Sequence, residues 1–360
     1  MAFVIVATII VIGTVLWNAV SPWWFTPLAS NWGFLDTTII ISLWVCGVAF
    51  VAVSGFIIYC VLKFRYKEGH KAQYQPENTK LEVILTVVTT IGVVVLLAPG
   101  LIAWNMYIDL PDDALEVEGV GQQWVWTYRF PGEDGIYGNT NGRLFSSKNT
   151  FGIDPNDPNG QDDILIRSAE VHLPINEKVV FQLRSKDVLH DFYIPQFRAK
   201  MDLVPGQQSN LWFEPTLLGT YEVACAEYCG TGHYAMRGLI TVDTREDFDA
   251  WLAEQPTFFE TLNEGVEGNG KQIAQTLGCV ACHSDDGVNG IGPTWKNTFG
   301  TERLLDTGET VVIDEAYIKE SIVNPVAKIG SGYAPVMPAY ATLSEEELDA
   351  ITDYIKTLSD

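Results

Sequence analysis

Three long apolar runs near the N-terminus constrain this chain more than any other feature. Residues 2–20, 37–62 and roughly 83–105 contain no charged side chain, and a helix needs about 20 apolar residues to cross the hydrocarbon of a bilayer. The second and third are predicted spans. The first lacks a positively charged flank and a small-residue cleavage site before Ser21, so a retained helix is favoured over a signal peptide. Lys63, Arg65, Lys67, Lys71 and Lys80 crowd the connector between the second and third runs, whereas 21–36 holds neither Lys nor Arg. That bias puts 63–80 in the cytoplasm and 21–36 outside, so everything after about residue 106 is expected on the outer side.

From Leu115 to Val242 the apolar period changes to two. Val171 and Leu173, then Val179, Phe181 and Leu183, then Leu211 and Phe213, then Tyr221, Val223 and Cys225 alternate with polar residues. Turn sequences such as Pro174–Glu177 and Pro205-Gly206 separate them. Short alternating strands at this spacing predict a β-sandwich or barrel. Residues 131–163, rich in Gly, Asn, Asp and Pro, are predicted to form a surface insertion. After Val242 a short helix is expected behind a Thr244 cap, then a linker over 255–270, then a helical stretch. The last helix opens on the capping box Ser344–Glu347 and carries Leu348, Ile351, Ile355 and Leu358 on one face.

The chemistry concentrates in Cys225–Met236, a twelve-residue loop with Cys225, Cys229, His233 and Met236; His190 lies upstream. Soft sulfur with imidazole suits copper. A mononuclear blue-copper site takes one Cys, so the second sulfur favours two coppers bridged by two thiolates, with His190 and His233 terminal and Met236 and a backbone carbonyl completing the shell. The alternatives are a Cys225–Cys229 disulfide, which leaves His190, His233 and Met236 without a role, and structural zinc, which rarely recruits Met.

A second constellation, Cys279-Val280-Ala281-Cys282-His283, is the C-x-x-C-H pattern of covalent c-type haem attachment. His283 is placed to bind the iron from one side. Met337 is the only Met, and His283 the only His, after Met236, so a self-contained domain has Met337 as its distal ligand. A redox or zinc C-x-x-C is the alternative. The net charge of −23 argues against nucleic acid, which needs a basic footprint. Residues 265–360 carry 15 acidic and 6 basic side chains, a net of −9. This is either a solvated face or a field that steers a basic electron donor.

The pattern C-x-E-x-C-G-x-x-H-x-x-M resembles the dinuclear copper A motif of subunit II of haem-copper cytochrome c oxidases. Asp187-Val188-Leu189-His190, Pro195 and Pro205-Gly206 match its upstream segment, and Gly121–Trp126 resembles its aromatic segment. The resemblance covers roughly 37–243, apart from 131–163. Gly292-Pro293, Asn324-Pro325 and Gly332–Pro338 around the haem motif resemble a class I cytochrome c. Together they resemble a caa-type subunit II with a cytochrome c fused at its end.

That resemblance implies a multidomain membrane protein of transmembrane helices, a cupredoxin-like Greek-key β-barrel and an all-α class I cytochrome c domain. The expected boundaries are 1–36 for an extra helix (or signal peptide) and outer connector, 37–110 for a helical hairpin, 111–243 for the copper domain, 244–264 for a linker and 265–360 for the cytochrome. It implies that Glu227 gives its backbone carbonyl to copper and its carboxylate to a magnesium ion shared with subunit I. Pro293 resembles the proline whose carbonyl orients the iron-binding His. Trp124 matches the electron-entry tryptophan; the alternative is a core aromatic sharing a strand face with Trp126 and Tyr128. Glu82 matches a carboxylate at the mouth of a proton channel, although Leu85 and Thr89 replace the family's Trp and Pro, and a solvated helix-end Glu is the alternative. His172 is expected to be an ordinary strand histidine.

The implied path runs from an external donor (a cytochrome c or another respiratory complex) to one covalent haem c, to dinuclear copper A, and on to haem a in subunit I. Oxygen is reduced there with proton translocation. The expected partners are subunit I and the other oxidase subunits, in a bacterial inner membrane, with both cofactor domains on the periplasmic side. Two other classes compete. A nitrous-oxide-reductase-like enzyme needs a His-rich copper domain that five His cannot build. A tethered relay cytochrome has no use for the Cys225–Met236 loop.

Overall fold

The structure, a computed structural model, describes residues 2–21, 26–71, 74, 76–265 and 269–359. Parts of the outer connector (22–25), the connector between the second and third runs (72–73 and 75) and the linker (266–268) therefore lie outside the described residues. The chain forms two compact units, Met1–Asp109 and Leu110–Asp360.

The first unit holds helices α1 (Ala2–Val20), α2 (Gly33–Lys63) and α3 (Thr79–Ile108). All three are long and apolar enough to cross a membrane, with mean hydropathies of 2.4, 2.5 and 2.5. Their side chains are almost wholly exposed, as expected for helices whose solvent is lipid. α2 and α3 run past the apolar runs into polar sequence. At α3 a cap explains the extension: Asn78 Oδ1 accepts from Leu81 N at 3.1 Å, and Glu82 Oε1 accepts from Asn78 N at 3.5 Å. Glu82 thus sits exposed in the first turn of α3 and reaches back over the helix start.

The second unit begins with a cupredoxin-like β-sandwich. One sheet has the order β3-β2-β1-β5-β8 and the other β4-β10-β9-β6-β7. The strands are β1 (Leu115–Gln122), β2 (Val125–Phe130), β3 (Ile164–Ile166), β4 (Glu170–Pro174), β5 (Val179–Ser185), β6 (His190–Ile194), β7 (Ala199–Leu203), β8 (Gln208–Phe213), β9 (Gly219–Cys225) and β10 (Arg237–Asp243). The period-two positions face inward. Val179, Phe181, Leu183, Leu211, Phe213 and Val223 are fully buried, and Phe181 lies 5.2 Å from Phe192 and 5.6 Å from Phe213, ring to ring. His172 hydrogen-bonds Asp243 at 2.5 Å and stacks on Trp251 at 4.4 Å, far from the sulfur ligands in the chain's topology.

Helix α4 (Arg245–Ala253) starts at Thr244, whose side chain caps Asp247 N. The linker is more ordered than its composition suggests. Helix α5 (Phe258–Asn263) interrupts it behind a complete capping box of Thr257 and Glu260. The last domain is helical: α6 (Gly270–Thr276), α7 (Glu315–Val323) and α8 (Glu345–Thr357), the last opening on the Ser344–Glu347 capping box. It also carries a short hairpin, β11 (Glu302–Leu304) with β12 (Thr310–Val312). α6 packs across α8 over a core of Ile273, Ile318, Leu348, Ile351 and Ile355.

Candidate copper and haem sites

β9 and β10 are antiparallel neighbours, and the Cys225–Met236 loop joins their ends. β6 lies beside β9, pairing Phe192 with Cys225, so His190 at the start of β6 arrives under the loop. Cys225 and Cys229 are free, with sulfurs 3.7 Å apart. Cys225 Sγ is 3.9 Å from His190 Nδ1 and 3.1 Å from the Glu227 carbonyl oxygen; Cys229 Sγ is 3.6 Å from His233 Nδ1 and 3.8 Å from Met236 Sδ. The loop's sulfurs and its imidazole converge on one spot, and His190, Cys225 and Cys229 place their donor atoms within 4.8 Å of one another. Two sulfurs, two imidazoles, a thioether and a carbonyl form a soft donor set that fits copper. The Glu227 side chain is exposed.

Asp187 orients the set. Its carboxylate accepts from the backbone of Gln123 and Val188, both at 2.7 Å, and lies 2.8 Å from His190 Nε2. That bond fixes the ring with Nδ1 toward Cys225. The Cys225 thiol is held far below its ordinary range, first by the hydrogen bond shared with Cys229 and, against burial, by His190. The same sharing pushes Cys229 up. Binding of a metal at these two sulfurs would release a proton. Replacing Asp187 with Ala is expected to weaken copper binding about 10–100-fold, read by competition with a chromophoric chelator, without loss of the sandwich fold. Unchanged affinity would mean packing alone holds His190.

The second site is a cavity in the helical domain, lined by Cys279, Cys282, His283, Met337 and apolar side chains. His283 Nδ1 donates to the Pro293 carbonyl at 2.8 Å, and its ring stacks on Trp295 at 5.1 Å. Nε2 is left as the ligand atom. Burial, with Arg303 assisting against the Pro293 bond, lowers its pKa and keeps the ring neutral. Burial pushes the Cys279 thiol up to about 12 and raises Cys282 as well. An apolar slot with two thiols, a neutral oriented imidazole and a thioether fits a haem.

Trp124 belongs to both sites. It lies in the turn between β1 and β2, not on the strand face of Trp126 and Tyr128. Its Nε1 donates to the Cys229 carbonyl at 3.1 Å, and the residue also lines the haem cavity. Glycines allow this on both sides. A Cβ at Gly232 of the copper loop would lie 2.3 Å from Trp124 Cδ2, and one at Gly278, where φ is +76°, would lie 3.2 Å from Trp124 N. Sequence reasoning missed Asp187 as the orienting group. It also missed Arg303 and Lys328, two cations on the haem cavity wall; basic residues in so acidic a stretch were the available signal.

Residues 115–243 match the family described as cytochrome c oxidase subunit II, periplasmic domain, and 268–359 match cytochrome c. An alternative cytochrome c oxidase subunit 2 of Bradyrhizobium diazoefficiens is 50% identical over 258 residues, 72% of this chain and 93% of that one. This chain belongs to the cytochrome c oxidase subunit 2 family. A cytochrome c oxidase subunit 2 of Alkalihalophilus pseudofirmus is 28% identical over 86% of this chain and 83% of its own. The solved periplasmic domain of subunit II of the Bradyrhizobium japonicum oxidase covers 40% of this chain and 95% of its own at 26% identity, with a TM-score of 0.30. As a subunit 2 with a C-terminal cytochrome c domain, this chain is a membrane electron-transport protein with an outward-facing copper A domain and a haem domain.

Proposed function

We propose that this chain is the electron-receiving subunit of a caa-type oxidase. It takes electrons from an external donor and delivers them to haem a of subunit I, where oxygen is reduced to water with proton translocation. One haem c and a pair of coppers, when bound, supply the one-electron chemistry that no side chain here provides. Cys279 and Cys282 would hold the haem covalently, and His283 and Met337 would bind its iron. Cys225 and Cys229 would hold the coppers with His190, His233, Met236 and the Glu227 carbonyl. Two thiolates shared by a copper pair would let it take up an electron with little reorganisation. Trp124 is the entry residue to the copper side. The Glu227 carboxylate is offered to a magnesium ion shared with subunit I, and Glu82 to the mouth of its proton channel. The assembly belongs in a bacterial inner membrane, with both cofactor domains on its periplasmic side.

The observation that carries this proposal is Trp124, which donates from its indole to the Cys229 carbonyl and also lines the haem cavity. The complex purified from native membranes should contain subunit I. It should also show an electron paramagnetic resonance signal of one unpaired electron shared by two coppers. A mononuclear copper signal, or none, would sink the proposal. Met337→Ala is expected to leave haem attached through Cys279 and Cys282 but make its iron high-spin or open to added ligands. An unchanged low-spin spectrum would exclude Met337 as the distal ligand.

A further inference from the structure

The insertion 131–163 is not a loose surface loop. Phe151 and Ile153 are buried and join Val120, Leu165 and Phe258 in a second hydrophobic core, with Leu262 packed on it. Asn149 bonds both ways to Ile153, at 2.8 Å each, and Arg129 ties the end of the insertion down through Asp163 at 2.5 Å. The occupant of this core is the chain's own linker. Phe258 N donates to the Asp163 carbonyl at 2.8 Å and Phe259 N to the Gln161 carbonyl at 3.0 Å; the adjoining Leu165 N donates to the Pro256 carbonyl at 2.9 Å.

The hold extends to the haem domain. Lys148 donates to the Glu264 carbonyl and Arg167 pairs with its carboxylate, while Ser147 bonds Glu347 at the start of α8. Gln272 reaches the Arg167 carbonyl at 2.8 Å, and Gln122, two residues before Trp124, reaches the Thr276 carbonyl at 2.9 Å. These bonds hold Gly278 and Cys279 over Trp124, which is left 6% exposed.

We propose that 131–163 is an intramolecular docking cradle for the linker and cytochrome domain, which fixes the haem on Trp124 and closes that tryptophan to external donors. A flexible tether would supply the haem at an effective concentration near millimolar; a docked one supplies it in a single geometry. External donors then meet the acidic cytochrome domain and never the copper domain directly. The inference rests on the electron path proposed above, and its failure is separable: a faulty path shows in the wild-type oxidase as a missing haem c or paired-copper signal.

The test uses the complete oxidase in detergent with Phe258→Ala and, separately, Ser147→Ala/Lys148→Ala. Cleavage of the segment between α4 and α6 by a non-specific protease should accelerate by about two orders of magnitude in Phe258→Ala and about tenfold in the double variant. With a reduced soluble basic cytochrome c under anaerobic rapid mixing, wild type should reduce haem c before copper. The variants should slow haem-to-copper transfer and gain direct copper reduction, with haem c and copper spectra unchanged. If Phe258→Ala does not accumulate, the double variant decides. Unchanged proteolysis and an unchanged order of reduction would overturn the proposal, as would direct copper reduction in wild type.

Discussion

Changing Cys225 to Ser is expected to abolish the paired-copper signal and stop transfer from haem c to haem a, with haem c still attached. The sulfur at 225 is 3.7 Å from its partner and 3.9 Å from His190 Nδ1, so it would be one of the two thiolates that hold the proposed coppers. A serine hydroxyl in its place is a harder and weaker donor. What remains (one thiolate, two imidazoles and a thioether) is the set that suits a single blue copper. The variant is therefore expected to keep one copper at most, with its unpaired electron confined to that metal. The haem site has its own core of Ile273, Ile318, Leu348 and Ile351 and shares none of these ligands, so its spectrum serves as the internal control. A signal still shared by two coppers, or wild-type haem c to haem a transfer, would refute the assigned ligand set.

The copper loop was legible because its donors sit within twelve residues, and a hairpin connection cannot disperse them. His190, 35 residues upstream, was legible because it opens an alternating strand, and the register of β6 against β9 brings it under Cys225. The residues proposed to hold the haem were legible for the same reason of local spacing, and Met337 by elimination.

Trp124 was half legible. Its type and neighbourhood stood out, but its packing comes from Cys229, Gly232 and Gly278, more than a hundred residues away, and no local period reports such partners. The insertion reads as a surface element because Asn, Asp and Gly mark turns, and that composition does not report its buried residues. Here several of their side chains bond the insertion's own backbone, as Asn149 and Asp154 do, and leave Phe151 and Ile153 free to build a core. Helix α5 had a written signal, Thr257-Phe258-Phe259-Glu260, which is a capping box inside a stretch whose charge suggested a linker.

A single methyl group at Gly270 is expected to destabilise the cytochrome domain more than any other one-residue change considered for it. A Cβ there would lie 1.9 Å from the Ala350 carbonyl oxygen and 2.8 Å from Tyr354 Cβ. The obstacle is backbone, so no rotamer change relieves it. α6 and α8 must move apart, and Ile273, Ile351 and Ile355 on the facing surfaces lose packing together. Helix propensity offsets little of this, since Gly270 is the first residue of α6 and the preference of about 1 kcal/mol for Ala over Gly belongs to helix interiors. The balance decides the sign: overpacking typically costs about 1–3 kcal/mol, and a clash with fixed backbone belongs at or above the top of that range. For a domain of this size about 3 kcal/mol lowers Tm by roughly 10–25 °C. Calorimetry of the full chain should show the haem-domain transition moving down while the copper-domain transition stays. Met337 packs against the same core, so its hold on the iron should weaken at temperatures below that transition. An unchanged or raised haem-domain Tm would mean that α6 and α8 do not cross at Gly270.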